Sequence, residues 1–65
     1  MEYYKVNQRV RDLLMKLFEE PFGRLEWLKT PNEDFDNVAP MKLLDMKKEQ
    51  IVIDYLEDVL LGRPH

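Results

Sequence analysis

The chain has 65 residues, an apolar fraction of 45% and a net charge of −3. This length allows one small domain of marginal stability, and the apolar fraction favours a folded core over a disordered chain. The basic residues are dispersed along the chain rather than gathered in a patch. Nucleic-acid binding by this chain alone is therefore disfavoured, because phosphate neutralisation supplies most of that affinity.

Cysteine is absent from the chain, which excludes a disulfide and a cysteine-ligated zinc site. No apolar run approaches the ~20 residues that a membrane span needs, and the N-terminus lacks the apolar segment of a signal peptide. We expect a cytoplasmic protein that does not interact with membranes.

The first predicted element is a helix over residues 1–20. Its apolar residues recur every three or four positions, as on one face of a helix; they are Tyr3, Val6, Val10, Leu13, Leu14, Leu17 and Phe18. Pro21 ends this helix, because the residue before a proline is pushed out of the helical region. Since tyrosine is enriched at interfaces, Tyr3 and Tyr4 make a homodimer through this helix an alternative.

Two short helices are predicted over residues 21–29 and 40–44. Pro21 and Pro40 suit the first turn of these helices, where a missing N–H group costs nothing. The polar residues 31–38 between them are predicted to form a loop.

The last helix is predicted over residues 46–61, with Asp45 as its N-cap. Gly62 suits the position just after the helix, and residues 62–65 form a tail. The apolar stripe of this helix consists of Val52, Tyr55, Leu56, Val59 and Leu60. The pattern as a whole predicts a small all-α domain of four helices, in which a long first and a long last helix flank two short ones.

The side chains that nucleophilic catalysis needs are scarce. The chain has no serine or cysteine, its only threonine is Thr30 and its only histidine is His65, so neither a Ser–His or Cys–His pair nor a histidine metal site can be assembled. Acid–base chemistry by Glu33, Asp34 and Asp36 stays formally open, although such a cluster is more often a solvated loop. The sequence predicts a non-enzyme that uses no cofactor or metal.

One set of residues carries a resemblance to a known family. These residues are Trp27-Leu28-x-Thr30-Pro31-Asn32, Phe35, Pro40-x-x-Leu43-Leu44, Val52, Leu56 and Gly62-x-Pro64. In this order and spacing they resemble the toxin-binding domain of Xre/MbcA/ParS-type antitoxins, from about Leu17 to the C-terminus. The residues that build such a module are Trp27, Pro31, Asn32, Pro40, Leu43 and Leu44.

The resemblance implies a bacterial protein that neutralises a cognate toxin, often a RES-type enzyme that consumes NAD, by stoichiometric occlusion. It also implies that the C-terminal tail reaches toward the toxin; the tail residues are Leu61, Gly62, Arg63, Pro64 and His65. Arg63 is the main candidate, because a guanidinium forms bidentate charged contacts. The residues before Leu17 are too few for the helix-turn-helix domain that family members usually carry, so we expect a free-standing toxin-binding module.

Three residues, in two places, depart from the family pattern. Asp36 and Asn37 stand where the family has small, glycine-rich residues, and Asn37 is expected to adopt the left-handed turn. Ala39 stands where a capping hydroxyl usually precedes the second proline, a change that costs about 1 kcal/mol of helix capping.

Two other functions fit the sequence. The first is a small structural or assembly protein that self-associates through its amphipathic first helix. The second is a regulator that binds another protein, such as a transcription factor, although no motif supports it.

Overall fold

A computed structural model describes residues 6–63 of the chain. Four α-helices and one short 3₁₀ helix lie in this part, and it contains no strand. They are α1 (Gln8–Leu17), α2 (Pro21–Lys29), the 3₁₀ helix (Glu33–Phe35), α3 (Pro40–Asp45) and α4 (Glu49–Leu61). The all-α fold class predicted from the sequence is confirmed. The two tyrosines Tyr3 and Tyr4, and the tail residues Pro64 and His65, lie outside the described residues.

The core lies where α1 packs against α4 and where α3 packs against both α4 and α2. Its buried apolar residues are Val6, Val10, Leu13, Leu14, Leu28, Phe35, Leu43, Leu44, Val52 and Leu56. Each fully buried leucine contributes about 1.5–3 kcal/mol to folding through apolar burial. None of the helices in the described part is long and apolar enough to cross a membrane.

The first helix is shorter than the predicted residues 1–20. Among the described residues it begins at Gln8, because the Asn7 side chain accepts hydrogen bonds from the backbone N–H groups of Arg9 (2.8 Å) and Val10 (3.4 Å). An N-cap of this type satisfies backbone donors that have no partner within the helix.

The predicted end of this helix at Glu20 is also wrong. Phe18 already has an extended backbone (φ −127°, ψ 114°), so the chain leaves the helix before the residue that Pro21 constrains. The Arg24 side chain donates from Nε to the carbonyl oxygen of Phe18 (2.8 Å) and from Nη2 to that of Glu19 (2.9 Å). Because the helix has ended, these two carbonyl groups have no backbone N–H partner within it. The Arg24 guanidinium supplies the hydrogen bonds instead.

The predicted short helix over residues 21–29 is confirmed, with Pro21 at its first position. Phe22 lies exposed on this helix.

The predicted loop over residues 31–38 contains the 3₁₀ helix and closes on itself. The Asn32 side chain accepts a hydrogen bond from the Asp34 N–H (2.9 Å), and the Asn32 N–H donates to the Val38 carbonyl (3.2 Å). Asn37 adopts the expected left-handed conformation (φ 63°), and Asp36 does so as well (φ 57°). Short polar side chains tolerate this region better than most other residues do.

The junction between α3 and α4 differs from the prediction. Asp45 belongs to α3 rather than capping α4, so the predicted start of the last helix at residue 46 is wrong. Lys47 adopts a left-handed conformation (φ 60°). The backbone N–H of Lys47 donates to the carbonyl oxygen of Leu44 (3.0 Å). The N–H of Lys48 donates to the carbonyl oxygen of Leu43 (2.9 Å). This pair of bonds is the Schellman motif, which satisfies the last carbonyl groups of a helix.

The end of α4 is as predicted. Gly62 has a left-handed backbone (φ 73°), and the N–H of Arg63 donates to the carbonyl of Asp58 (2.8 Å) while that of Gly62 donates to Val59 (3.2 Å). Glycine adopts this conformation without the steric cost that a Cβ atom brings.

Candidate functional site

Four aromatic side chains from four segments meet beside the core. Trp27 of α2 stands at the centre, with ring centroids 6.5 Å from Phe18, 6.2 Å from Phe35 and 6.1 Å from Tyr55. Phe35 and Tyr55 also meet edge to face at 4.9 Å. Such pairs contribute about 0.5–1.5 kcal/mol each beyond their burial. The cluster therefore fixes four segments relative to one another: the C-terminal end of α1, helix α2, the 3₁₀ helix and helix α4.

One side of this cluster opens into an apolar cavity of about 320 Å³, which we call the aromatic groove. Its lining residues are Leu17, Phe18, Trp27, Tyr55, Leu56 and Val59. Leu56 is buried, whereas Trp27 and Tyr55 are only partly buried. The groove thus presents aromatic and aliphatic surface to solvent, a chemistry that suits large apolar side chains of a ligand or partner.

A hydrogen bond fixes one edge of the groove. The Tyr55 hydroxyl donates to Oδ2 of Asp34 at 2.8 Å, which ties the 3₁₀ helix to α4. This bond raises the pKa of the Tyr55 hydroxyl above its ordinary value, and burial and the negative charge of Asp34 raise the pKa further. The hydroxyl therefore stays protonated at neutral pH and acts as a donor.

The predicted tail site adjoins the end of α4. Leu61 is 66% exposed, and Arg63 folds back so that its Nη2 lies 2.8 Å from Oδ1 of Asp58. The two side chains of this pair are 57% and 30% exposed, and such surface pairs are worth only about 0–1 kcal/mol. A partner can therefore take the Arg63 guanidinium away from Asp58 at little cost.

The residues of the antitoxin-like motif occupy structural positions. Pro40 starts α3, and Leu43 and Leu44 are buried in the core. Asn32 caps the 3₁₀ helix, while Pro31 is exposed just before it. Trp27 differs from the others, because it supports the core and also lines the groove.

The acidic loop residues do not assemble a metal site. In the described range 6–63, no group of three or more histidine, cysteine, aspartate or glutamate side chains is placed to hold a metal ion. Of the three candidates for acid–base chemistry, Asp34 binds the Tyr55 hydroxyl. The described part of the chain also contains no fully buried polar or charged side chain.

Sequence reasoning assigned five of the six groove residues to the core stripes of the first and last helices, and assigned Trp27 to the family motif. It did not identify the groove, nor the roles of Arg24 and Asp34 at its edges. The one available signal was the position of the aromatic residues, because Phe18 and Trp27 lie close to the ends of predicted helices and Phe35 is the aromatic residue of the predicted loop.

Comparisons with models of protein families, with curated proteins and with solved structures found no match to this chain. The resemblance to the antitoxin domain thus depends on the motif residues alone.

Proposed function

We propose that the chain is a cytoplasmic, non-catalytic protein-interaction module of the antitoxin type, which neutralises a cognate toxin by covering part of its surface. The observation that carries this proposal is the open aromatic groove beside the exposed last turn of α4. Val59, Leu60 and Leu61 are consecutive, apolar and exposed there. Contiguous exposed apolar surface marks interaction sites in small proteins.

The residue types at this surface support a binding role. Interface residues that dominate binding energy are enriched in tryptophan, tyrosine and arginine. Trp27 and Tyr55 line the groove, and Arg63 lies one turn beyond Val59 along the chain. The partner would bury the aromatic faces and pair with the guanidinium.

The residue inventory supports a non-catalytic role. The chain has no serine or cysteine, and its one histidine is His65 in the proposed contact tail. Binding and occlusion need none of these nucleophiles.

Self-association through the first helix gains no support from the described part of α1. Its residues Val10, Leu13 and Leu14 are buried against the rest of the chain, and therefore cannot also face a second copy. Among the residues of the described α1, Met15 is the large apolar residue that lies exposed and could contact a second copy.

The test is co-expression of this chain with the candidate toxin encoded beside its gene, scored by co-purification and by rescue of growth. Val59→Arg places a long charged side chain in the groove. Ile51→Arg is the matched control, because both residues lie on α4 and are 39% and 47% exposed respectively. We expect Val59→Arg to abolish rescue and Ile51→Arg to retain it, with circular dichroism confirming that both variants are helical.

Deletion of residues 63–65 separates the tail from the groove. A complex that weakens on this deletion assigns part of the contact to Arg63 and the residues after it. Failure of the unmodified chain both to co-purify with the toxin and to rescue growth would refute the proposed function.

A further inference from the structure

We draw no further inference here: the strongest candidate, the aromatic groove between the end of α1, α2 and α4, is lined by uncharged side chains alone, and nothing in the structure shows what covers it.

Discussion

The Arg24 side chain bridges the segment between α1 and α2 through hydrogen bonds. Replacing Arg24 measures how much these bonds contribute to the free energy of unfolding. The guanidinium donates to the carbonyl oxygens of Phe18 and Glu19 at 2.8 Å and 2.9 Å. Phe18 lines the groove and contacts Trp27. Loss of the Arg24 bonds therefore loosens the chain at one wall of the groove.

The magnitude follows from the two bonds and their exposure. A hydrogen bond that involves a charged group contributes about 1.5–3 kcal/mol. The bond to Phe18 is partly buried and the bond to Glu19 is exposed, so the first lies near the lower end of that range and the second well below it. Arg24→Ala should therefore lower the free energy of unfolding by about 2 kcal/mol. For a domain of this size that corresponds to a fall in Tm of about 8–16 °C.

The assay is thermal unfolding followed by circular dichroism. Arg24→Lys should fall between the parent and Arg24→Ala, because an ammonium group lacks the planar fork that bridges two acceptors. Lys29→Ala is the control, since Lys29 is an exposed cation on the same helix and its loss should cost less than about 0.5 kcal/mol. A Tm for Arg24→Ala within about 2 °C of the parent, or an equal loss for Lys29→Ala, would refute the reasoning.

Three further variants test local features of the fold. Asn7→Ala should cost about 1 kcal/mol in urea unfolding because it removes the N-cap of α1, whereas Asn7→Asp should retain most of the stability; equal losses would contradict the assignment. Gly62→Ala should cost about 1–2 kcal/mol because of the left-handed backbone, although an added Cβ meets no atom within 4 Å; an unchanged stability would show that the turn relaxes. Tyr55 has a raised pKa in the folded chain, so its protonated hydroxyl contributes stability below about pH 10 and the contribution is lost as pH rises through the folded pKa. The difference in unfolding free energy between the parent and Tyr55→Phe should therefore shrink at alkaline pH, and a difference that stays constant would exclude this linkage.

Proline and glycine made much of the fold predictable. Pro21 and Pro40 each occupy the first helical position that their fixed backbone suits, and Gly62 terminates α4 in the left-handed conformation. The helical spacing of apolar residues likewise identified the buried face of α1. These signals depend on a residue and its near neighbours in sequence, and sequence analysis detects such signals well.

The boundaries that were wrong have other causes. The end of α1 depends on Arg24, whose contact with Phe18 spans six positions and leaves no pattern in the sequence. The start of α4 depends on a left-handed Lys47, and lysine gives no signal for that conformation. Asn7 did carry a local capping signal, but the apolar period extends across it and favoured a longer helix.

The groove could be predicted only in part. The spacing of Tyr55, Leu56 and Val59 indicates the apolar face of α4, but it does not show where that face stops being covered. Coverage depends on the point at which α1 ends, and α1 ends at Leu17 rather than at the predicted residue 20. Of the tail residues proposed from the family resemblance, Leu61, Gly62 and Arg63 are described and lie at or just after this uncovered turn, and Arg63 is folded back onto Asp58.

The most direct test of the central claim is the affinity of the cognate toxin for two single variants of the full chain. If the aromatic groove is the binding surface, Val59→Arg should weaken the complex by at least about tenfold, and Ile51→Arg should leave the affinity within about threefold of the parent. Equal effects of the two substitutions, or a loss of affinity only when residues 63–65 are removed, would contradict the account.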